Sequence, residues 1–222
     1  PNSAQKSVHK RHLLLELREP WTVAGTTYPA GALIAADFDA FMAGARDFSV
    51  LFRPDAATSL AGHCWTRNFL LLNVLDDVKN RIAVLDPASG WRAEPLAGAP
   101  AFGTLSVSAL DDEESDDYLL TVTDYLTPTA LMRGCIGQPP EILKQLPDFF
   151  DASRHEISQR FALSKDGTRV PYFMVSLKGM CSDGKNPTLL YGYGGFEISL
   201  TPAYSATVGR AWLSQCGVFV VA

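Results

Sequence analysis

The sharpest chemical signal in the chain is Tyr191-Gly192-Tyr193-Gly194-Gly195-Phe196, three glycines directly after the strand-like Thr188-Leu189-Leu190-Tyr191. Glycines at a strand's carboxyl end let the backbone turn tightly and approach a ligand closely. Phosphate binding is one use of such a loop. However, no Gly-x-x-x-x-Gly-Lys-Ser/Thr pattern is present, and no helix opens on a Gly-x-Gly-x-x-Gly. A second use is stabilisation of the oxyanion formed in acyl transfer, where donors are aimed at the developing charge. Tyr193, flanked by small residues, fits that role through its hydroxyl. It fits equally well a ring that merely packs, and the spacing alone leaves both uses open.

The groups that would complete such a site do not accompany it. No Gly-x-Ser-x-Gly elbow occurs, and none of His9, His12, His63 and His155 follows a Ser and an Asp in the order Ser, Asp, His. The four histidines therefore read as surface or hydrogen-bonded structural residues. The acidic run Asp111 to Asp117 lacks the glycine turn and spaced ligands of a calcium loop and reads as a solvated segment. Cys64, Cys135, Cys181 and Cys216 show neither Cys-x-x-Cys spacing nor disulfide density, and each reads as a small buried hydrophobe. No metal and no cofactor is expected.

Composition narrows the class. The chain has 222 residues, 47% of them hydrophobic and 19% charged, which suits a packed core and excludes disorder. A formal charge of −5 disfavours a nucleic-acid surface. No apolar run reaches the roughly 18 residues of a membrane span. Free thiols suit a reducing compartment, so a cytoplasmic location is expected, with the periplasm as the alternative.

An internal repeat organises the first two thirds. His12-Leu13-Leu14-Leu15-Glu16-Leu17 recurs as Phe69-Leu70-Leu71-Leu72-Asn73-Val74 and as Tyr118-Leu119-Leu120-Thr121-Val122-Thr123, with starts 57 and 49 residues apart. The second copy is followed by a turn-like Asp76-Asp77-Val78-Lys79-Asn80, a strand from Arg81 to Leu85, and the breaker Asp86-Pro87-Ala88-Ser89-Gly90. Strands and tight turns at this period predict β-propeller blades, about three of them; a β-sandwich of similar strands is the alternative.

Beyond residue 150 the texture changes. Residues 157–163 and 170–177 read as a hairpin closed by Asp166-Gly167, a pair suited to positive φ. A strand at 188–191, the glycine loop, a helix over 205–215 with Val208 and Trp212 on one face, a break at Gly217, and a final strand then follow. That succession predicts the start of an α/β sheet. Pro139-Pro140 and residues 146–152 are expected to mark the junction, which gives a partial propeller over 1–150 and the first part of an α/β-hydrolase domain over 151–222. The apolar terminal run and a repeat too short to close a ring both suggest a piece of a longer chain.

Taken together these stretches resemble the prolyl oligopeptidase family of serine peptidases. The residues that carry the likeness are Phe161 to Phe173, with its Ser164-Lys165-Asp166-Gly167-Thr168, Asn186 to Phe196, Tyr204-Ser205, and the terminal Gly217 to Ala222. Leu75 to Asn80 and Thr123 to Pro128 are similar to the family's late blades. The resemblance implies a propeller capping an α/β-hydrolase domain that cleaves short peptides, typically after proline, in the cavity between them. It implies that Tyr193 helps form the oxyanion hole and that Phe196 lines the pocket for the residue before the scissile bond. The catalytic Ser, Asp and His would all follow Ala222, so this chain alone is expected to be inactive and to partner the rest of its catalytic domain. Glu197 stands where many members carry a neutral polar residue. Two further readings are kept: a non-catalytic propeller scaffold with a degenerate hydrolase tail, and a related acylaminoacyl or dipeptidyl peptidase.

Overall fold

The leucine runs are explained by strands that are buried on both faces. The computed structural model describes residues 1–196 and 198–222; Glu197, where the sequence departs from the family pattern, lies outside them. The first sheet has the order β1 (Gln5–His9), β2 (His12–Glu16), β5 (Leu33–Asp37), β6 (Ser49–Phe52). A short hairpin, β3 (Trp21–Val23) with β4 (Thr26–Tyr28), interrupts it, and α1 (Phe38–Met42) follows β5. The second sheet is the meander β7 (Thr58–Trp65), β8 (Leu70–Asp76), β9 (Lys79–Asp86), β10 (Arg92–Pro95). The third is β11 (Thr104–Ala109), β12 (Asp117–Thr123), β13 (Ala130–Cys135), β14 (Glu141–Gln145). Every pairing in these three sheets is antiparallel.

The three repeat copies are β2, β8 and β12, the second strand of each sheet. Because side chains alternate across a strand, a sheet stacked between two neighbours needs apolar residues at successive positions. Leu70 and Leu72 enter the cluster shared with the first sheet, alongside Leu14, Leu33 and Trp65. Leu71 points the other way, into the cluster shared with Leu105, Tyr118 and Leu120 of the third sheet. Leu13 and Leu15 face outward from the first sheet and are covered by its own insertion, through Tyr28, Trp21, Phe41 and Phe48. Three sheets stacked in series in this way are propeller blades, not the two facing layers of a sandwich.

The fourth sheet is different in kind. Its order is β15 (His155–Leu163), β16 (Arg169–Leu177), β18 (Val218–Val221), β17 (Thr188–Tyr191). The β15–β16 pair is the expected hairpin, with Gly167 at φ +85° in its turn. The β17 and β18 strands are parallel, and the connection between them carries α2 (Ala206–Ala211). An antiparallel hairpin leading into a parallel crossover is the start of an α/β-hydrolase sheet.

Several expectations need correction. Pro139-Pro140 does not mark the junction: it lies between β13 and β14, inside the third blade. The acidic run is only partly solvated. Asp116 accepts hydrogen bonds from Thr66 Oγ1 at 2.9 Å and from the Asn68 main chain and side chain at 2.8 and 2.7 Å. Asp117 is held well below the usual carboxylate range by Arg133, whose Nη2 lies 2.7 Å away. The run thus ties the third blade to the second. The cysteines are less buried than expected: Cys64 and Cys135 are half-buried, Cys181 and Cys216 exposed. The helix over 205–215 is shorter than its pattern, with α2 giving way to a 3₁₀ turn at Leu213–Gln215. The break comes at Cys216, whose φ of +63° makes a left-handed turn just before Gly217. Gly217 is required for another reason, since a Cβ there would sit 2.5 Å from the Trp212 indole.

Candidate functional site

The glycine loop leaves the carboxyl end of β17, beside the carboxyl end of the parallel β18. In open α/β sheets that end is where ligands gather, because loops leaving parallel strands converge there. The loop's base is fixed by the main chain: Ala222 N–H donates to Tyr191 O at 3.0 Å. Gly192 lies so near that a Cβ would stand 3.4 Å from the Ala222 carbonyl.

Tyr193 is 44% exposed. Its ring lies over Gly195, where a Cβ would come within 3.4 Å of Tyr193 Cζ and Oη. The ring therefore does pack, against bare backbone, yet the residue stays half-exposed and its hydroxyl makes no hydrogen bond among the described residues. Phe196 is 91% exposed and sits at φ +56°. A bulky side chain in the left-handed region is strained, and such strain is kept mainly where a site needs it. The loop presents one phenol and one phenyl ring three positions apart in sequence, both accessible.

The far end of this segment is anchored to the propeller. Thr104 Oγ1 donates to Pro202 O at 2.6 Å, and Tyr204 N–H donates to Thr123 Oγ1 at 3.3 Å. Tyr204 also stacks on Phe150 and accepts from Phe149 N–H through its hydroxyl. A hydroxyl cap follows, with Ser205 Oγ accepting from Val208 N–H to start α2. Tyr193 and Phe196 are thus carried on a segment tied to the hydrolase sheet at one end and to the third blade at the other.

A second connection between the two parts was not visible as a motif. The β8–β9 turn has two loop residues, Asp77 and Val78, at φ +45° and +66°. Such a mirror-type turn normally takes Asn-Gly, so a β-branched residue there is strained. Val78 packs into the cluster of Tyr125, Phe173 and Val175, and Gln159 Nε2 donates to Asp77 O at 2.6 Å. Arg169, which also lies over the Phe161 ring at 3.6 Å, comes within 3.5 Å of Asp77 Oδ2. The one available signal was a two-residue hairpin loop without glycine or asparagine.

The histidines are scattered. His155 is buried with Nε2 3.1 Å from Leu213 O, and His9 Nδ1 lies 3.5 Å from Asp112. His12 and His63 are held below the usual imidazole range chiefly by burial. Tyr125, whose phenol is pushed up by burial, belongs to the shared core and stays protonated. Among the described residues no three His, Cys, Asp or Glu side chains are arranged to hold a metal ion. Among the described residues no helix is long and apolar enough to cross a membrane.

No family model matches the chain. It is 39% identical over 220 residues to an uncharacterized peptidase of Sinorhizobium fredii, covering 96% of this chain and 30% of that one. A prolyl endopeptidase of Elizabethkingia miricola is 36% identical over 123 residues, 55% of this chain and 17% of its own. Among solved structures, a post-proline cleaving enzyme from Rickettsia typhi superimposes with a TM-score of 0.82 at 26% identity, covering 100% of this chain and 33% of that one. The chain thus spans about 30% of the length of the curated relatives it matches throughout.

Proposed function

We infer, for a chain related over its whole length to prolyl oligopeptidase-type peptidases, that the protein it represents is a serine oligopeptidase acting on short peptides through an acyl-enzyme. The supporting observation is the accessible Tyr193 hydroxyl, without a hydrogen-bond partner among the described residues and placed just past the carboxyl end of a parallel strand. In this reading a serine carried later in the longer chain attacks the peptide carbonyl, and a histidine takes the proton and passes it to the leaving amine. Tyr193 donates its O–H to the oxyanion that develops as the carbonyl carbon becomes tetrahedral. Phe196 offers an apolar face to the residue before the scissile bond, with proline as the preferred occupant. The 222 residues alone carry no such serine elbow, so they do not turn over substrate. A cytoplasmic location accompanies this reading.

The test is Tyr193→Phe in the longer enzyme. Loss of one oxyanion donor lowers kcat about 100- to 1,000-fold. Folding stability stays nearly unchanged, because the half-exposed side chain keeps its ring and loses only a hydroxyl with no hydrogen-bond partner among the described residues. A decrease of less than about threefold would remove Tyr193 from the reaction. A non-catalytic scaffold would show no turnover in the parent enzyme at all.

A further inference from the structure

On the face of the blades opposite the turns that meet the hydrolase sheet, the first and second blades are separated by a groove of about 860 Å³. That volume lies in the range of small-ligand sites. One wall is aromatic: Trp65 stacks on His9 and His12 with ring centroids 4.6 and 5.6 Å apart, and Trp91 stands edge-on to His12 at 5.1 Å. Trp91 is held there at a cost, for it follows Gly90 in the left-handed region with φ +70°. A tryptophan fixed in that strained conformation marks a place where the ring's position matters.

The charges around the groove are unevenly spent. Asp37 is taken by Arg11 and by the cap of α1, Asp86 by the Ala88 N–H, and Asp116 by Thr66 and Asn68. Lys10 and Arg67, by contrast, donate to main-chain carbonyls, those of Arg67 and Glu114. Among the described residues neither is paired with a carboxylate. Beneath the wall the Trp65 indole N–H, which can only donate, has no partner among the described residues. Asp47, the remaining lining carboxylate, has no partner among the described residues either and matches a ligand's N–H or ammonium.

We propose that this inter-blade groove is a peptide-binding site, taking short peptides that end in a free carboxylate and carry an aromatic or apolar side chain. The carboxylate lies against Lys10 and Arg67, and the side chain lies against Trp91 and His12. The proposal is independent of the catalytic reading, because neither Tyr193 nor Phe196 lines the groove.

The test measures binding of the proline-free tripeptide Phe-Ala-Phe and its carboxyl-terminal amide to the full-length protein by calorimetry, in the wild type and in a Lys10→Ala/Arg67→Ala variant. Both replaced side chains are at the surface, and a thermal melt confirms that the variant folds. The free acid is expected to bind saturably, and the amide about tenfold more weakly. The double variant loses about tenfold for the acid and little for the amide, and peptidase turnover is retained. Equal affinity for acid and amide, unchanged affinity in the variant, no binding, or full competition by inorganic phosphate alone would each overturn the proposal.

Discussion

At the scale of single residues, the best-placed chemistry is Tyr193, and the best-defined titration belongs to histidines away from it. His63 and His12 are both held below their ordinary value of 6.5, His63 by burial against the opposing pull of Glu16, and His12 by burial reinforced by Arg11. A depressed imidazole favours the neutral form in the folded chain, so the unfolded chain binds protons first as the pH falls. The stability these groups contribute is therefore fully present above about pH 6.5 and is lost progressively below it, down through their lowered folded values. Thermal melts between about pH 7.5 and pH 5 should show Tm falling with acid, and His63→Gln should flatten that fall. Coincident slopes for the two proteins would remove His63 as a contributor. The sequence read these histidines as surface or hydrogen-bonded structural residues, because none follows a Ser and an Asp in the order Ser, Asp, His. It did not show their burial, which for His12 comes from Trp65 of the second blade stacking on its ring.

At the scale of elements, the repeat was legible because blade stacking writes itself into adjacent leucines. A strand exposed on one face would alternate, whereas Leu70-Leu71-Leu72 supplies two clusters at once. The glycine positions were less legible, since their need comes from residues far away in sequence. Gly209 in α2 lies under the Phe150 ring, and a Cβ there would meet Phe150 Cδ1 at 2.0 Å. Gly134 in β13 is similarly closed by Tyr118, at 2.4 Å from its ring. Overpacking of this kind costs about 1–3 kcal/mol. Gly209→Ala should therefore lower stability by that amount, and Phe150→Leu in the same chain should recover part of it. Chemical denaturation of the single and double variants measures the coupling; strictly additive effects would mean the ring moves aside freely. The Pro139-Pro140 pair misled for a related reason. A proline pair stops a strand whether or not a domain ends, and here it only turns β13 into β14.

At the scale of the whole molecule, the chain's two parts share one hydrophobic cluster, built by Phe173, Val175 and Val221 of the hydrolase sheet and by Tyr125 and Val78 of the propeller. No local pattern announces it, because its members are joined only when a strained two-residue turn docks against a distant hairpin. The opposite side of the same sheet is bare. In the 222-residue chain β17 is the outermost strand, with Leu190 69%, Tyr191 51% and Leu189 41% exposed. A strand edge of this kind offers unpaired main-chain groups beside an apolar surface, a template for pairing with a second chain. Residues 1–222 produced alone should therefore self-associate as concentration rises, with sedimentation velocity showing species larger than the monomer. A lysine on an edge strand resists such pairing, because association would bury its charge. Leu190→Lys is expected to return the chain to monomer without lowering Tm, since Leu190 contributes little to the core it already leaves exposed. Association that survives the substitution would place the contact elsewhere on the molecule. Such a result would exonerate the β17 edge and direct attention to β14, whose five residues are also all exposed.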